Sequence, residues 1–585
     1  MRAWGWLWVG AWLAACAPGP GPVATAVRPT EHAAEPRAAP AQAAPAQASR
    51  FARAPEGERV LLLWTASVQG YVEPCGCTAD PLGGVARLAA AVQEARQAFG
   101  GRVLLVDGGD LLFEHAGDAA PADRCQAEAR ADLLLDSYAR AGLAATTLGP
   151  LDDVRGAAFR DERLARAGIP TVGIGERRAM GSGARESPRL LLDAAGVKVG
   201  LTAFRVDDAA RVASVRAALA TQVQALQAEG ARAVVALAQA PRELSRAVTR
   251  GLPGLDAVLQ GRAPGEQPID PERLDGPVLL AAGMQAQHLG VLELVLDGRA
   301  PGAPLPLDDR AAVDGARRRL LELKERALTD EIGRTEDAAR RAFLEERRAA
   351  VAAELGELHA RAAAGLAPLQ GPHLRSGSLP LPRGSAEEPA AAAALAAYRA
   401  RVPALVERCE AEAPCPSQPE GAPRYVGVNV CRACHASAVD FWVEQSVQKP
   451  GKDEAGRPVM RQLGHAQAWQ TLVDAGKEKD RSCVACHAVG FGEPGGPCRT
   501  SDVEKGGFAG VQCESCHGPG SSHAALGTRE GIVRAPDEAR CRSCHKVPHI
   551  ETTASFVFEE RRRLVVGRGH GLPVLAADAA KEQRP

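Results

Sequence analysis

A chain of 585 residues is too long for a single hydrophobic core, and domains of ordinary size predict about three to five folded units. Its 70 basic and 71 acidic residues nearly cancel, which argues against a surface built for nucleic acid or another polyanion. We therefore expect no nucleic acid among its partners.

The first sixteen residues are typical of an export signal. Arg2 precedes a short apolar stretch that ends in Leu13-Ala14-Ala15-Cys16. The stretch is too short to span a bilayer and resembles a bacterial lipoprotein signal, with a buried helix or a plain secretory signal as the alternatives. The resemblance implies cleavage after residues 1–15 and a lipidated Cys16. Because Ala17 is not the aspartate that favours inner-membrane retention, we expect the periplasmic face of a Gram-negative outer membrane.

Two regions of contrasting composition follow the signal. Residues 17–57 are rich in Ala and Pro without a hydrophobic period, which predicts a semi-extended tether. Over residues 58–307, apolar runs such as "VLLLW" and "VLLVD" alternate with amphipathic helical stretches such as Val85 to Ala98. Alternation of this kind predicts a layered α/β domain with a largely buried sheet.

Residues 308–423 form a charged helical region and linker. Dense Arg and Glu at i, i+4 spacing predict one or two long exposed helices, whose expected role is a charged spacer packed on a domain face. A short strand near "HLRSGSLPL" and a helix from Pro389 to Arg401 close the region. Cys409 and Cys415 frame the next loop and could bridge in an oxidising compartment.

The last region, residues 424–585, carries four C-x-x-C-H motifs, each the attachment signature of a c-type haem. The motifs are Cys431, Cys434 and His435; Cys483, Cys486 and His487; Cys513, Cys516 and His517; and Cys541, Cys544 and His545. In such a motif both thiols bond to the porphyrin and the adjacent histidine is the proximal iron ligand. Zinc is the rival interpretation, but zinc ribbons do not require the histidine that follows every second cysteine.

Each iron needs a sixth ligand or an open position, and that choice separates electron transfer from catalysis. Four further histidines are candidates for distal ligands: His465, His523, His549 and His570. His465 lies on an expected helix in "GHAQAWQTL". His523 follows a Gly-Pro turn that could direct it toward the haem of another motif. We favour these two over His549 and His570.

The same region resembles the tetrahaem cytochrome c-554 family over roughly residues 424–550. The similarity rests on "YVGVNVCRACH", "GHAQAWQTL" and "CESCHGPGSSH", whereas residues 447–461 look like an insert. The resemblance implies a periplasmic electron carrier with four covalently bound haems. It leaves open a five-coordinate haem that reacts with a small nitrogen compound such as hydroxylamine, nitric oxide or nitrite.

The α/β region resembles the calcineurin-like metallophosphoesterases, in particular their 5'-nucleotidase branch. The similarity runs through "LWTASVQG", "LLVDGGDLL", "TTLGPLDDVRG" and "LDAVLQGRAP". Active members hold two metal ions with Asp, Asn and His side chains. In this chain Asp110 is the one clear match, and the other ligand positions carry Ser67, Gln69, Pro150, Leu151, Gln239, Arg262 and Pro264. We therefore expect a phosphoesterase fold with no dinuclear metal centre and no hydrolase activity.

Three cysteines of the α/β region have no place in that family pattern. Cys75 and Cys77 stand in "EPCGC", and Cys125 belongs to the following α/β unit. A disulfide, for example between Cys77 and Cys125, is one interpretation, and a thiolate site for a metal or redox partner is the other. Cys498 is a second candidate partner or a free thiol.

The sequence as a whole predicts a lipid-anchored multihaem cytochrome that exchanges electrons with periplasmic redox partners, with a catalytically inactive phosphoesterase-like domain as scaffold or docking module. A haem oxidoreductase acting on a small nitrogen compound is the first alternative. A 5'-nucleotidase-like hydrolase with an appended cytochrome is the second.

Overall fold

The computed structural model describes residues 50–51, 57–74, 81–174, 186–262, 268–364, 369–445, 450–452, 458–460, 464–529, 531–546, 556–567 and 569–570. The predicted signal with Cys16, the thiols of Cys75 and Cys77, and His549 lie outside these residues. Everything from Arg50 onward forms one unit. No helix in the described part of the chain is long and apolar enough to cross a membrane.

The strands are short and fall mainly in the first 380 residues. They are β1 (Arg59–Thr65), β2 (Val103–Asp107), β3 (Leu143–Thr146), β4 (Arg189–Ala194), β5 (Val197–Arg205), β6 (Ala233–Gln239), β7 (Ala257–Gln260), β8 (Ile269–Arg273), β9 (Val278–Ala281), β10 (His288–Val295), β11 (Leu307–Asp308), β12 (His373–Pro380), β13 (Pro450–Lys452) and β14 (Pro458–Met460).

The helices are long before residue 445 and short after it. They are α1 (Val85–Phe99), α2 (Arg124–Arg140), α3 (Ala157–Ala167), α4 (Val212–Ala228), α5 (Arg242–Thr249), α6 (Arg310–Arg334), α7 (Ala338–Ala364), α8 (Pro389–Glu412), α9 (Val428–Gln445), α10 (Ala468–Asp474), α11 (Arg481–His487), α12 (Thr500–Lys505), α13 (Cys513–His517), α14 (Ser521–Leu526), α15 (Glu538–Arg542) and α16 (Phe558–Val565).

Two six-stranded mixed sheets form the α/β part. The first has the order β11-β12-β10-β1-β2-β3 and the second β4-β5-β6-β7-β9-β8. One apolar cluster contains side chains from both sheets, including Leu62, Trp64, Leu201 and Val235. Because alternate strand residues point to opposite faces, the outer faces are left for helices: α1, α2 and α8 cover the first sheet, and α4 and α5 cover the second. This arrangement confirms the predicted layered α/β domain.

The first sheet takes in more of the chain than the sequence indicates. β12 pairs along its whole length with β10, from His373 opposite Val295 to Pro380 opposite His288. The predicted boundary at residue 307 therefore falls within this sheet. The helix expected from Pro389 to Arg401 continues to Glu412, and its apolar residues Leu395, Tyr398 and Val402 belong to the core that covers the first sheet.

The two disulfides of the described residues correct the predicted pairing. Cys125 bonds to Cys409, with their Cα atoms 5.9 Å apart, and Cys415 bonds to Cys498. The reason is that α8 packs on α2 and brings Cys409 to the start of α2, so neither Cys77 nor Cys415 is the partner. The bridges link α2 to α8, and the end of α8 to the segment between the second and third C-x-x-C-H motifs.

The region after Tyr425 is built of short helices, as expected for a domain organised by its cofactor. One departure is the antiparallel pair β13 and β14, which lies in the stretch that looks like an insert at residues 447–461. A small apolar cluster around Trp469, Leu472 and Val484 supports the second motif.

Candidate functional site: strand ends and the motif cluster

The loops after β1 and β2 keep an unusual backbone. Ser67, Gln69 and Asp110 have φ angles of 46°, 57° and 53°, in the left-handed region that non-glycine residues rarely adopt. The two loops are joined by hydrogen bonds from the Ser67 N–H to the Gly109 carbonyl, 3.0 Å, and from the Gln69 N–H to the Asp110 carbonyl, 2.8 Å. Such conformations persist only where the surroundings enforce them, so the contacts between the two loops hold this backbone shape.

The carboxylates in these loops are directed at the backbone. Asp110 accepts a hydrogen bond from the Leu151 N–H at 2.8 Å. Asp152 accepts four, from the N–H groups of residues 110, 111 and 112 and of Gly149, at 2.8–3.0 Å. Burial raises the pKa of Asp152 to about 7, and the neighbouring Asp110 adds to the rise. Sequence reasoning missed Asp152, since nothing but its place after Pro150-Leu151 distinguishes it.

Three further positions that the sequence compares with metal ligands make internal contacts in the structure, whereas Pro264 lies outside the described residues. Gln239 Nε2 donates to the Gly108 carbonyl at 2.8 Å, and Ser67 Oγ donates to the Gly261 carbonyl at 3.1 Å. Gly108 and Gly261 approach so closely that a Cβ atom on Gly108 would lie 2.6 Å from the Gly261 Cα atom. Arg262 is turned to Asp207, 2.7 Å away.

These residues do not fit a dinuclear metal centre. Within the described ranges, no group of three His, Cys, Asp or Glu side chains is placed to hold a metal ion. The small gap beside Asp152, lined by Leu111, Thr147 and Leu164, has no room for a water molecule. The strand ends are thus held by a network of hydrogen bonds in which the carboxylates of Asp110 and Asp152 already accept from backbone N–H groups.

Replacing Asp152 with asparagine is expected to lower the free energy of unfolding by about 2–3 kcal/mol, because an NH2 group would face backbone donors and leave them unsatisfied. Urea denaturation followed by circular dichroism measures the change. Asp275→Asn is the matched control, since Asp275 is an exposed partner of Arg250 and should change stability by less than about 0.5 kcal/mol. Equal effects of the two variants would show that Asp152 does not stabilise the loops.

Each C-x-x-C-H motif lies on or beside a short helix. α11 and α13 each end at the motif histidine, His487 and His517, while α9 is kinked at His435. In a helical turn, residues three and four positions apart share one face. The two thiols and the histidine of a motif are therefore presented together, which is the donor set that covalent haem attachment requires.

Thiols from different motifs come close together. The hydrogen bond between Cys431 and Cys513 raises the pKa of the Cys431 thiol, and the one between Cys486 and Cys544 raises that of Cys486. Burial raises the pKa of Cys516 to about 11, with the nearby Cys541 thiol as the next cause. The first motif therefore adjoins the third, the third adjoins the fourth, and the fourth adjoins the second.

Two motif histidines face a histidine from elsewhere in the chain. His465 Nε2 lies 3.4 Å from His545 Nε2. The rings of His435 and His523 have centroids 6.0 Å apart and planes within 23° of each other. The structure thus places His465 beside the fourth motif and His523 beside the first, and not beside the third motif that His523 follows in sequence. His570 contacts Phe441, with ring centroids 6.3 Å apart.

Several of these rings are oriented by their second nitrogen. Nδ1 of His487 lies 2.6 Å from the Ala468 carbonyl, Nδ1 of His517 lies 2.6 Å from the Val533 carbonyl, and Nδ1 of His523 contacts the Thr528 carbonyl. An Nδ1–H bonded to a carbonyl leaves Nε2 as the free donor atom for a metal. Burial lowers the pKa of His465 to about 4, and nearby His545 lowers it further, so the ring is neutral as a metal ligand must be.

The second motif is fastened to the α/β domain through Arg481. The Arg481 guanidinium is buried and pairs with Glu410 at 2.6 Å and with Asp123 at 2.7 Å. It also lies over the Phe491 ring, 4.6 Å from its centroid. Glu410 accepts two further hydrogen bonds from Thr500. Sequence reasoning missed this pair, because nothing in the sequence marks one arginine and one glutamate 71 residues apart as partners.

Polar contacts at the rim extend the same interface. Lys477 lies 2.9 Å from Glu73, which also pairs with Arg399 of α8. Gln126 of α2 donates to Asp480 at 2.5 Å. Lys546, directly after the fourth motif, lies 3.4 Å from Glu114. The motif cluster is therefore seated on α2, α8 and the loops that follow β1 and β2.

Comparison with known proteins identifies the motif region. Residues 430–518 match the family model described as "Cytochrome c554 and c-prime". Over 142 residues the chain is 31% identical to cytochrome c-554 of Nitrosomonas europaea. The aligned stretch covers 23% of this chain and 55% of that protein. Over 87 residues it is 32% identical to the C-type polyheme cytochrome OmcB of Geobacter sulfurreducens, covering 14% of this chain and 11% of that protein. The chain spans about half the length of the first relative and about a tenth of the second.

The segment is accordingly a cytochrome c554-type domain, a class that binds haem covalently, and its motif residues fit that cofactor. Among solved structures, the 5'-nucleotidase precursor from Thermus thermophilus is similar with a TM-score of 0.40 and 17% identity, over 59% of each chain.

Proposed function

We propose that this protein carries electrons outside the cytoplasm through four covalently bound c-type haems, one at each C-x-x-C-H motif. The observation that supports this best is the pairing of His465 with His545, whose Nε2 atoms are 3.4 Å apart. Two imidazole nitrogens bound to one metal ion lie roughly 4 Å apart, given metal–nitrogen bonds of about 2.0 Å. His465 and His545 would therefore be the side chains that hold one haem iron.

The chain's own groups hold, orient and shield the ligands. The His465 ring stacks on Trp442, with centroids 5.2 Å apart and planes within 9°. Trp442 in turn donates its Nε1–H to the Val511 carbonyl, and Phe556 stacks on His545. A haem held there would supply one-electron iron chemistry. The aromatic rings fix the imidazoles and exclude water, which favours electron transfer over reaction with a substrate.

The thiol contacts give the proposed carrier an internal order. Because the first motif adjoins the third, the third the fourth, and the fourth the second, four haems would form a continuous series. The second motif ends that series at the α/β domain, beside Arg481. The α/β domain would then serve as an inactive scaffold or docking module for redox partners. An anchor at Cys16 would hold the whole at the periplasmic face of the outer membrane.

A haem count on the purified holoprotein tests the proposal. Pyridine haemochrome absorbance per chain, with the intact mass, should give four covalent haems, and dithionite should reduce all of them. The Cys483→Ser, Cys486→Ser variant should lose one haem, and the Ser482→Ala variant, which keeps every motif residue, should lose none. Fewer than four haems would contradict the proposal. Metal-dependent release of phosphate from a nucleotide would contradict the inactive role of the α/β domain.

One observation favours a second candidate, a haem that reacts with a small nitrogen compound. His517 is anchored through Nδ1 to the Val533 carbonyl, and among the described residues no second histidine ring stacks against it. A haem at the third motif that gains no sixth ligand would keep one open iron position. Electron paramagnetic resonance distinguishes the candidates: a high-spin signal that shifts with nitric oxide or hydroxylamine supports the enzyme, and four low-spin haems exclude it.

A further inference from the structure

The helical hairpin of α6 and α7, which we call the arm, has a core of its own. Leu321 and Leu328 of α6 pack against Val351, Leu355 and Leu358 of α7. The ion pair between Arg317 and Glu354, 2.7 Å, also joins the two helices. The apolar cluster of the arm thus lies between its own two helices.

A second apolar row on α6 is left uncovered. Val313, Leu320 and Leu323 are 58%, 57% and 63% exposed, and Ala327 is exposed as well. Their spacing of seven, three and four residues matches the a and d positions of a heptad. Leu321 and Leu328 lie on another face, since each residue turns the helix by about 100°. We name Val313, Leu320, Leu323 and Ala327 the outer seam.

Basic side chains flank the outer seam on both sides. Arg319 and Arg326 occupy the position before a, and Arg317 and Lys324 occupy the position after d. In coiled coils these positions decide which partner binds, through charge pairs across the interface. In an antiparallel pair of two copies of the arm, Arg319 and Arg326 would face each other, and in a parallel pair Arg319 would face Lys324, so both arrangements bring like charges together. The flanks suit a helix with glutamate or aspartate beside its own apolar seam.

We propose that the outer seam docks an acidic amphipathic α-helix of a partner protein. The outer seam contains two of every seven residues, as in a coiled-coil interface. It is narrower than the broad apolar face of a helix that lies in a membrane surface. Burial of Leu320 and Leu323 supplies the affinity. Arg319, Lys324 and Arg326 select the partner by charge, whereas Arg317 is already paired with Glu354. The site is distinct from the haem-binding motifs and does not depend on the function proposed for them.

Two synthetic peptides of four heptads test the docking, both with leucine at a and d. One carries glutamate at e and g, and its twin carries lysine. Fluorescence anisotropy of each labelled peptide, titrated with the full-length holoprotein, should show that the glutamate peptide binds at least about tenfold tighter than the lysine twin. Its affinity should fall as salt is raised.

Variants of the arm separate the two contributions. Leu320→Ser with Leu323→Ser should weaken binding of the glutamate peptide at least about tenfold, and Arg319→Glu with Arg326→Glu should transfer the preference to the lysine twin. Arg318→Glu, which changes the same charge on a different face of α6, should leave the preference unchanged. Unaltered circular dichroism and haem spectra show that each variant folds.

Four outcomes would overturn the proposal: binding of neither peptide, equal binding of both, binding that survives Leu320→Ser with Leu323→Ser, or sedimentation as a dimer that this double variant dissociates. Binding to phosphatidylglycerol vesicles that the same variant abolishes would assign the seam to a membrane surface and overturn it as well.

Discussion

Replacement of His465 by alanine is expected to convert one haem in four from a low-spin to a high-spin state. The reason is that His465 Nε2 lies 3.4 Å from His545 Nε2, at the motif of Cys541 and Cys544. Under the proposed function its imidazole would be the sixth ligand of the iron held there. Loss of the sixth ligand leaves the iron five-coordinate or water-bound. Electron paramagnetic resonance of the oxidised holoprotein measures the fraction converted.

His570→Ala is the matched control, because the structure places His570 against Phe441. It should leave all four haem signals unchanged. His523→Ala should convert a different haem, the one at the first motif, so that the double variant with His465→Ala converts two. If His465→Ala leaves the low-spin signals intact, or if His570→Ala removes one, the ligand pairing that we derive is wrong.

Replacement of Arg481 by methionine is expected to lower the free energy of unfolding by about 3–5 kcal/mol, because it leaves the buried Glu410 carboxylate without its cation. Glu410→Gln should have a smaller effect, since the guanidinium keeps its ion pair with Asp123 at 2.7 Å. The double variant should cost less than the sum of the two single changes, because the Glu410 carboxylate that Arg481→Met leaves without its cation is then absent. Guanidinium denaturation of the holoprotein, followed by circular dichroism, measures all three.

Arg250→Met is the control for this pair, since Arg250 and Asp275 form an ion pair at 54% and 72% exposure. An exposed pair of this kind contributes about 0–1 kcal/mol. Strict additivity of Arg481→Met and Glu410→Gln would show that the two side chains do not interact, and small effects of both would show that the interface is not held by this pair.

The sequence predicts those features whose cause is local. Haem attachment is readable because Cys431, Cys434 and His435 must follow one another along the chain for the chemistry to occur. The periodic spacing of apolar residues predicts the helices and strands of the α/β domain. The predicted end of α1, Ala98, lies one residue before the observed end at Phe99.

The features that could not be predicted depend on which distant segments meet. His465 was a candidate ligand, but its place beside His545 depends on the packing of segments 80 residues apart. The disulfide partner of Cys125 is set by α8 folding back over α2, across 284 residues. β12 carries no turn signal that ties it to β10, because the arm separates the two strands in sequence. Contacts of this kind leave no period or spacing to detect.

The two disulfides impose an order on how this chain can mature. Twelve of its fifteen cysteines are the eight thiols of the C-x-x-C-H motifs and the four that form disulfides. A motif thiol that is oxidised with a wrong partner cannot bond to a porphyrin until thiol–disulfide exchange releases it. The first two motifs lie between Cys415 and Cys498 in the sequence. The thiols of both motifs therefore emerge before Cys498 does, and they are available for oxidation before the bond between Cys415 and Cys498 can form. Thioether formation and thiol oxidation must therefore be separated in time or by distinct catalysts. A cell that oxidises thiols quickly should yield chains whose haem deficit falls first on Cys431, Cys434, Cys483 and Cys486.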